Sequence, residues 1–87
     1  MPTRKEVYEA IDRERDYQDE KWGSIEENHH YIARWLMICA DELYEASMAD
    51  SVKNKEEVLK EILQMVSVGI ACLEQHGIVE REGIKED

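Results

Sequence analysis

Apolar and polar positions along the chain fall into three stretches of helical period divided by short polar breaks, and none alternates in the manner of a strand. The clearest is the second. Ile32, Trp35, Leu36, Cys39, Leu43 and Ala46 recur every three or four residues and predict a helix from about 30 to 49. In the third stretch Val58, Leu59, Ile62, Leu63, Met65, Val66, Val68, Ile70, Ala71 and Leu73 cover nearly the whole circumference of a helix running to about His76. The first stretch is highly charged, and its punctuation defines it. Thr3 with Glu6 three residues later forms a capping box, so a helix is expected from about Arg4 to Lys21, ended by Gly23. Asn54 with Glu57 repeats the arrangement at the third helix, which Gly77 closes, with His76 near the negative end of the dipole.

One proline and four glycines in 87 residues agree with an all-α chain of one domain, 1–77, followed by a charged tail, 78–87, for which mobility is expected. A helix that is apolar all round needs neighbours on every side, and a single chain supplies only two others, the first of them charged. The expected architecture is therefore a three-helix chain whose second and third helices build a four-helix bundle with a second subunit. A homodimer is the simplest closed form, with further pairing to a tetramer left open.

Twenty-one acidic against eleven basic residues give a formal charge of -10, which argues against nucleic acid or anionic lipid as partner and favours cations. Cys39 and Cys72 lie among apolar residues without paired spacing, so core packing in a reducing compartment is the expectation. No apolar run approaches the roughly 20 residues that span a bilayer, and "MPTRKEVYEA" lacks a signal peptide's apolar segment. A soluble, cytoplasmic protein is expected.

The stretch "ICADELYEASMA" places Asp41, Glu42 and Glu45 within an apolar helix pattern. Like charges three or four positions apart on a helix destabilise it by roughly 0.2–0.5 kcal/mol a pair. No basic residue stands at the spacing that would relieve them, whereas on the first helix Glu9 has Arg13. Glu57, Glu61 and Gln64 form a second stripe early in the third helix. A tight reversal over 50–54 would make the two helices antiparallel and bring the stripes together. Such a cluster is costly unless a hard divalent ion binds it; a solvated acidic face is the plainer alternative.

At these residues the chain resembles the MazG-like, all-α nucleoside triphosphate pyrophosphohydrolases, whose pattern is Glu-Glu-x-x-Glu on one helix and Glu-x-x-Asp on the next. Here the two parts read Asp41-Glu42-Leu43-Tyr44-Glu45 and Glu61-Ile62-Leu63-Gln64. The resemblance takes in residues 30 to 76, and "ERDYQDEKWG" with "WLMICADELYEA" looks like a small phage- or bacterium-related branch. It implies Mg²⁺, with Mn²⁺ as a substitute, and cleavage of a nucleoside or deoxynucleoside triphosphate to the monophosphate and pyrophosphate. By the same resemblance Glu42, Glu45 and Glu61 are metal ligands and Asp41 is a shorter ligand or water-positioning base. Two residues depart from the pattern. Gln64 replaces the aspartate, keeping an oxygen ligand and losing the charge, and Asp41 replaces the first glutamate; Glu57 could compensate. A non-catalytic helical dimer of the same fold, serving binding or assembly, is the alternative.

On the first helix Arg15, Gln18 and Lys21 stand three residues apart and, with Trp22, are candidates for triphosphate and base contacts, although a solvated face and a core-capping tryptophan are the first expectation for them. His29 and His30, being adjacent, point in different directions and suit a surface loop or helix start better than a metal site. With no Ser/His/Asp or Cys/His set and no glycine-rich phosphate loop, acyl transfer and P-loop chemistry fall away.

Overall fold

The computed structural model describes residues 1–83. Three helices follow one another, α1 (Arg4–Trp22), α2 (Ile32–Ser51) and α3 (Lys55–His76), with no strand among the described residues. The chain is all-helical, as its pattern predicts. None of these helices is long and apolar enough to cross a membrane. The tail is exposed over residues 78–83, and its last four residues lie outside the described ones.

Local chemistry sets most boundaries. The Thr3 hydroxyl accepts from the Glu6 amide at 3.1 Å while the Thr3 amide donates to the Glu6 carboxylate at 3.1 Å, so the capping box closes in both directions. The Thr3 amide first, and then the Thr3 hydroxyl, which donates to the same carboxylate at 3.0 Å, hold the Glu6 carboxyl below its usual pKa. Asn54 caps α3 by accepting from the Glu57 amide at 3.2 Å. Gly23 (φ 92°) and Gly77 (φ 108°) end α1 and α3 in the left-handed region that side chains avoid, and a Cβ on Gly23 would collide with the Asn28 amide. α2 begins two residues later than its pattern suggests, because Tyr31 is extended and the backbone of His30 is tied elsewhere. It runs two residues further, to Ser51, whose hydroxyl donates to the Met48 carbonyl at 2.6 Å.

Between α2 and α3 the chain reverses within residues 52–54, with Lys53 at φ 56° and the Asn54 amide donating to the Ala49 carbonyl at 2.9 Å. The two helices are therefore antiparallel neighbours: Trp35 lies beside Gln75, and Cys39 beside Met65. α1 packs on α3 and leaves α2 alone. The core is thin. Trp35, Val68 and Ala71 form its centre, with Ile25, Ile38, Cys39 and Cys72 packed around them. Ser67 is fully enclosed (0% exposed) and turns its hydroxyl onto the Leu63 carbonyl at 2.8 Å. Both cysteines are free and half-buried; burial first, then the neighbouring Cys72 and Glu42, pushes the Cys39 thiol up.

Large apolar side chains remain outside. Ile32, Leu36 and Leu43 are exposed although they belong to the helical pattern of α2, and Leu59, Ile62, Val66 and Leu73 are exposed on α3. At about 100° per residue the α2 set forms one stripe beside the face that carries Trp35 and Ala46, and the α3 set lies opposite Val68 and Ala71.

Polar fasteners supplement this core, and Gln75 is the principal one. Its amide nitrogen donates to the Ile25 and Asn28 carbonyls at 2.6 and 2.7 Å, and its oxygen accepts from the Trp35 indole at 2.8 Å and the His30 amide at 3.2 Å. One side chain thus uses two donors and two acceptor sites to hold the 23–31 linker against the end of α3. The Gln75→Leu variant keeps the volume and strands all four partners. It is expected to lose about 2–3 kcal/mol of stability, measured by urea unfolding, because unpaired buried polar groups cost that much; a loss below about 0.5 kcal/mol would show that the linker is held by other contacts.

Candidate functional site

α2 and α3 meet along a line that includes Glu42 and Glu61. Packing in antiparallel register brings these two carboxyl groups, nineteen positions apart in sequence, close enough for Glu61 to act on the ionisation of Glu42. Both are half-buried, and no amide, amine or hydroxyl among the described residues reaches Glu61 Oε2, which is buried. Burial raises the Glu42 pKa first, the hydrogen bond and charge of Glu61 next, and the charges of Glu45 and Asp41 after them; together they push it to about 7. At neutral pH Glu42 is thus poised between its protonated and its charged form.

The other members of the two stripes divide. Asp41 and Glu45 are exposed and act on Glu42 through their charge. Neighbouring positions on a helix are rotated by about 100°, so Asp41 and Glu42 cannot face α3 together. Gln64 lines the cleft described next, and its backbone carbonyl accepts from the Gln18 amide at 3.4 Å. Glu57 caps α3 through its backbone and lies 4.0 Å from Lys60, a surface pair. Among the described residues no three His, Cys, Asp or Glu side chains converge on one point that could hold a metal ion. A half-buried carboxylate pair with one buried, unpartnered oxygen nevertheless fits a Mg²⁺ site of the kind that takes one or two carboxylates and completes its shell with water and phosphate oxygens.

Beside the pair opens a cleft of about 680 Å³, within the range that encloses small organic ligands. Its walls come from the second half of α1, the linker, one stripe of α2 and one of α3, so that Glu42 and Gln64 share it with Arg15, Gln18, Lys21 and Trp22. The four α1 candidates reach it in different conditions. Arg15 is buried (7% exposed), with Nε 2.6 Å from Glu74, Nη2 2.9 Å from Asp19 and Nη1 3.3 Å from Gln18. Burial opposes its charge, but Glu74 and Asp19 more than offset this and its pKa is raised. It is a strut between α1 and α3, with every guanidinium nitrogen engaged. Gln18 bridges Glu14 and α3. Lys21 and Trp22 are open to solvent, the lysine nitrogen 5.0 Å from the indole centroid and 5.7 Å from that of Tyr17, both cation–π distances. Trp22, 68% exposed, offers a flat face at the rim and does not cap the core.

Other features lay outside the sequence reading. Arg34 and Ile38 line the cleft on the same stripe of α2 as Glu42, at positions i, i+4 and i+8, a helical spacing that could have revealed them. Gln75 gives no local signal. His30 packs edge-on to Trp35 with centroids 4.8 Å apart, and His29 to His76 at 5.3 Å, so both linker histidines serve its packing against α2 and α3. Compared with protein-family models, curated proteins and solved structures, the chain matches none.

The Glu42 shift has a definite sign in the pH dependence of folding. The folded state holds a proton that the unfolded glutamate gives up near pH 4.5, so this contribution is complete below about 4.5 and is lost as pH rises through about 7. The full shift corresponds to at most about 3 kcal/mol, and water at this half-open site reduces it to about 1 kcal/mol. In metal-free buffer the stability difference between wild type and the Glu42→Gln variant should therefore move by about 1 kcal/mol in the variant's favour between pH 5 and pH 8. Thermal or urea unfolding across that range measures it; a constant difference would show that the two carboxyls do not meet.

Proposed function

We propose that the chain is a MazG-like hydrolase that cleaves nucleoside or deoxynucleoside triphosphates to the monophosphate and pyrophosphate with Mg²⁺, Mn²⁺ being able to substitute. The observation that carries this reading is Glu42 at the wall of a nucleotide-sized cleft, acting across the helix seam on Glu61, one of whose oxygens no donor among the described residues satisfies. A divalent ion bound there would neutralise polyphosphate oxygens and lower the pKa of a water. Glu42 and Glu61 hold the negative oxygens that such an ion requires, and Glu42 gives up its proton near neutrality. Asp41 and Glu45, one turn apart, add charge from the exposed flank. Gln64 contributes a neutral amide at the cleft wall. Trp22 and Lys21 give the rim a stacking face and a cation, Gln18 lies beside Gln64, and Arg15 keeps α1 in place.

Pyrophosphate release from a panel of triphosphates is expected with Mg²⁺ and absent with chelator, and Glu42→Gln should lower kcat by at least about a hundredfold, the usual scale for a group at the reacting centre. Equal turnover by wild type and variant would sink the reading.

A second reading is a helical dimer of the same fold that has lost catalysis. The glutamine at position 64 and a pair that one proton can make tolerable without any cation both favour it. Calorimetric titration separates the two. No heat with millimolar Mg²⁺ or Mn²⁺, with and without nucleotide, would favour the dimer alone.

Both readings include a second copy. The exposed stripes of α2 and α3 are what a four-helix bundle would cover, and contiguous apolar surface of this kind marks association. Sedimentation should give a dimer or larger at micromolar concentration, and Leu43→Asp together with Val66→Asp should give a monomer. A monomeric wild type would remove the partner from both readings.

A further inference from the structure

The triphosphate reading leaves an electrostatic problem. The chain carries a formal charge of -10, and Glu14, Asp19 and Glu42 all line the cleft that would have to admit a polyanion. Three residues of fixed positive charge line it as well: Arg15, Lys21 and Arg34. Arg15 is spent on Glu74, Asp19 and Gln18. Lys21 leans on the Tyr17 and Trp22 rings and presents a single point charge. Arg34 is exposed and makes no ion pair or side-chain hydrogen bond among the described residues.

Its position on α2 matters as much as its freedom. Arg34, Ile38 and Glu42 stand at successive turns of one face, so the guanidinium and the carboxylate pair are rooted about 12 Å apart along the helix axis. Both side chains line one cleft with an apolar residue between them, and a flexible arginine shortens that gap. An elongated anion lying along α2 can meet the carboxylate end through a divalent ion and the guanidinium directly. A single phosphate cannot do both.

We propose that Arg34 is the specificity-determining cation of the cleft, binding the phosphates that lie beyond the reach of the Glu42–Glu61 pair and so selecting chains of phosphates over a single one. This rests on the triphosphate reading of the same site. The planar guanidinium offers paired donors to two phosphate oxygens, a geometry that lysine cannot reproduce. Arg34 holds its ligand and takes no part in bond breaking.

The test uses the full chain in Mg²⁺ buffer with inorganic tripolyphosphate and orthophosphate as probes, titrated by calorimetry. Wild type is expected to bind tripolyphosphate more tightly than orthophosphate. Arg34→Gln should weaken tripolyphosphate by at least about tenfold, the loss of a charge-assisted hydrogen bond, and leave orthophosphate within about twofold. Arg34→Lys should fall between them, which a purely structural role would not produce. Unchanged thermal unfolding of both variants is expected, since the side chain has no partner among the described residues. Tripolyphosphate affinity of Arg34→Gln within twofold of wild type would overturn the assignment while leaving the hydrolase reading standing. Arg34-dependent tripolyphosphate binding without pyrophosphate release from any nucleotide would do the reverse. A wild type that binds no tripolyphosphate overturns the assignment, and hydrolysis of nucleotides by that same protein would keep the enzyme.

Discussion

Two carboxyl groups brought together across a helix–helix seam are the constraint around which this molecule is organised. Glu42 and Glu61 meet because α2 and α3 are joined by a three-residue reversal and must pack antiparallel. Placing like charges together in a half-buried position costs free energy unless a proton or a cation relieves it. The protein meets that cost with a proton near neutrality, which is why the Glu42 pKa lies near 7 and why the pair can persist in a metal-free chain. The same feature makes the pair responsive. Whatever positive charge arrives competes with a proton that Glu42 holds more tightly than an ordinary glutamate does, so the competition shifts with pH around neutrality.

What the sequence made legible was local or followed from a short connection. Thr3 and Glu6, Asn54 and Glu57, and Gly23 and Gly77 mark the ends of α1 and α3 through contacts spanning three or four residues, and the apolar period marks α2; all three helices lie where these signals put them, within two residues. The reversal at 52–54 made the antiparallel pairing, and with it the approach of Glu42 to Glu61, derivable from residue order alone. The gathering of all the acids into one cluster was not supported to the same degree. Asp41 and Glu45 stay exposed, since the rotation per residue that puts Glu42 on the seam turns its neighbour away. Protonation as an alternative to a bound cation depends on burial, which a sequence does not display. Arg15 read as a candidate phosphate contact on a solvated face, and its burial against Glu74, 59 residues away, was not visible from its own helix. Gln75 carried no signal, since a glutamine near a helix end has the same spelling on a surface as at a four-way junction.

The thin core explains the prominence of those polar fasteners. Trp35, Val68 and Ala71, with four partly buried neighbours, cannot by themselves fix three helices and a nine-residue linker. Arg15 ties α1 to α3 through Glu74, and Gln75 ties the linker to both α3 and the indole of Trp35. Hydrogen bonds constrain direction as well as distance, so a few of them can set the orientation of elements that little apolar area holds. The cleft is a consequence. Its walls are the surfaces that these fasteners hold apart, and packing has not filled the space between them.

The division of apolar surface between the two sides of the α2–α3 pair carries this further. On α2 the stripe of Arg34, Ile38 and Glu42 borders the cleft, while Ile32, Leu36 and Leu43 lie more than a quarter-turn around the helix, exposed. On α3 the exposed Leu59, Ile62, Val66 and Leu73 likewise avoid the face that bears Glu61, Gln64 and Val68. Covering the outer stripes would thus leave the cleft open, and it would lower the local dielectric behind the carboxylate pair, strengthening every charge interaction there. A second copy seated on the outer stripes would therefore act on the site through the same two helices: one face of each is exposed and apolar, and the other carries the groups whose charge that burial would sharpen.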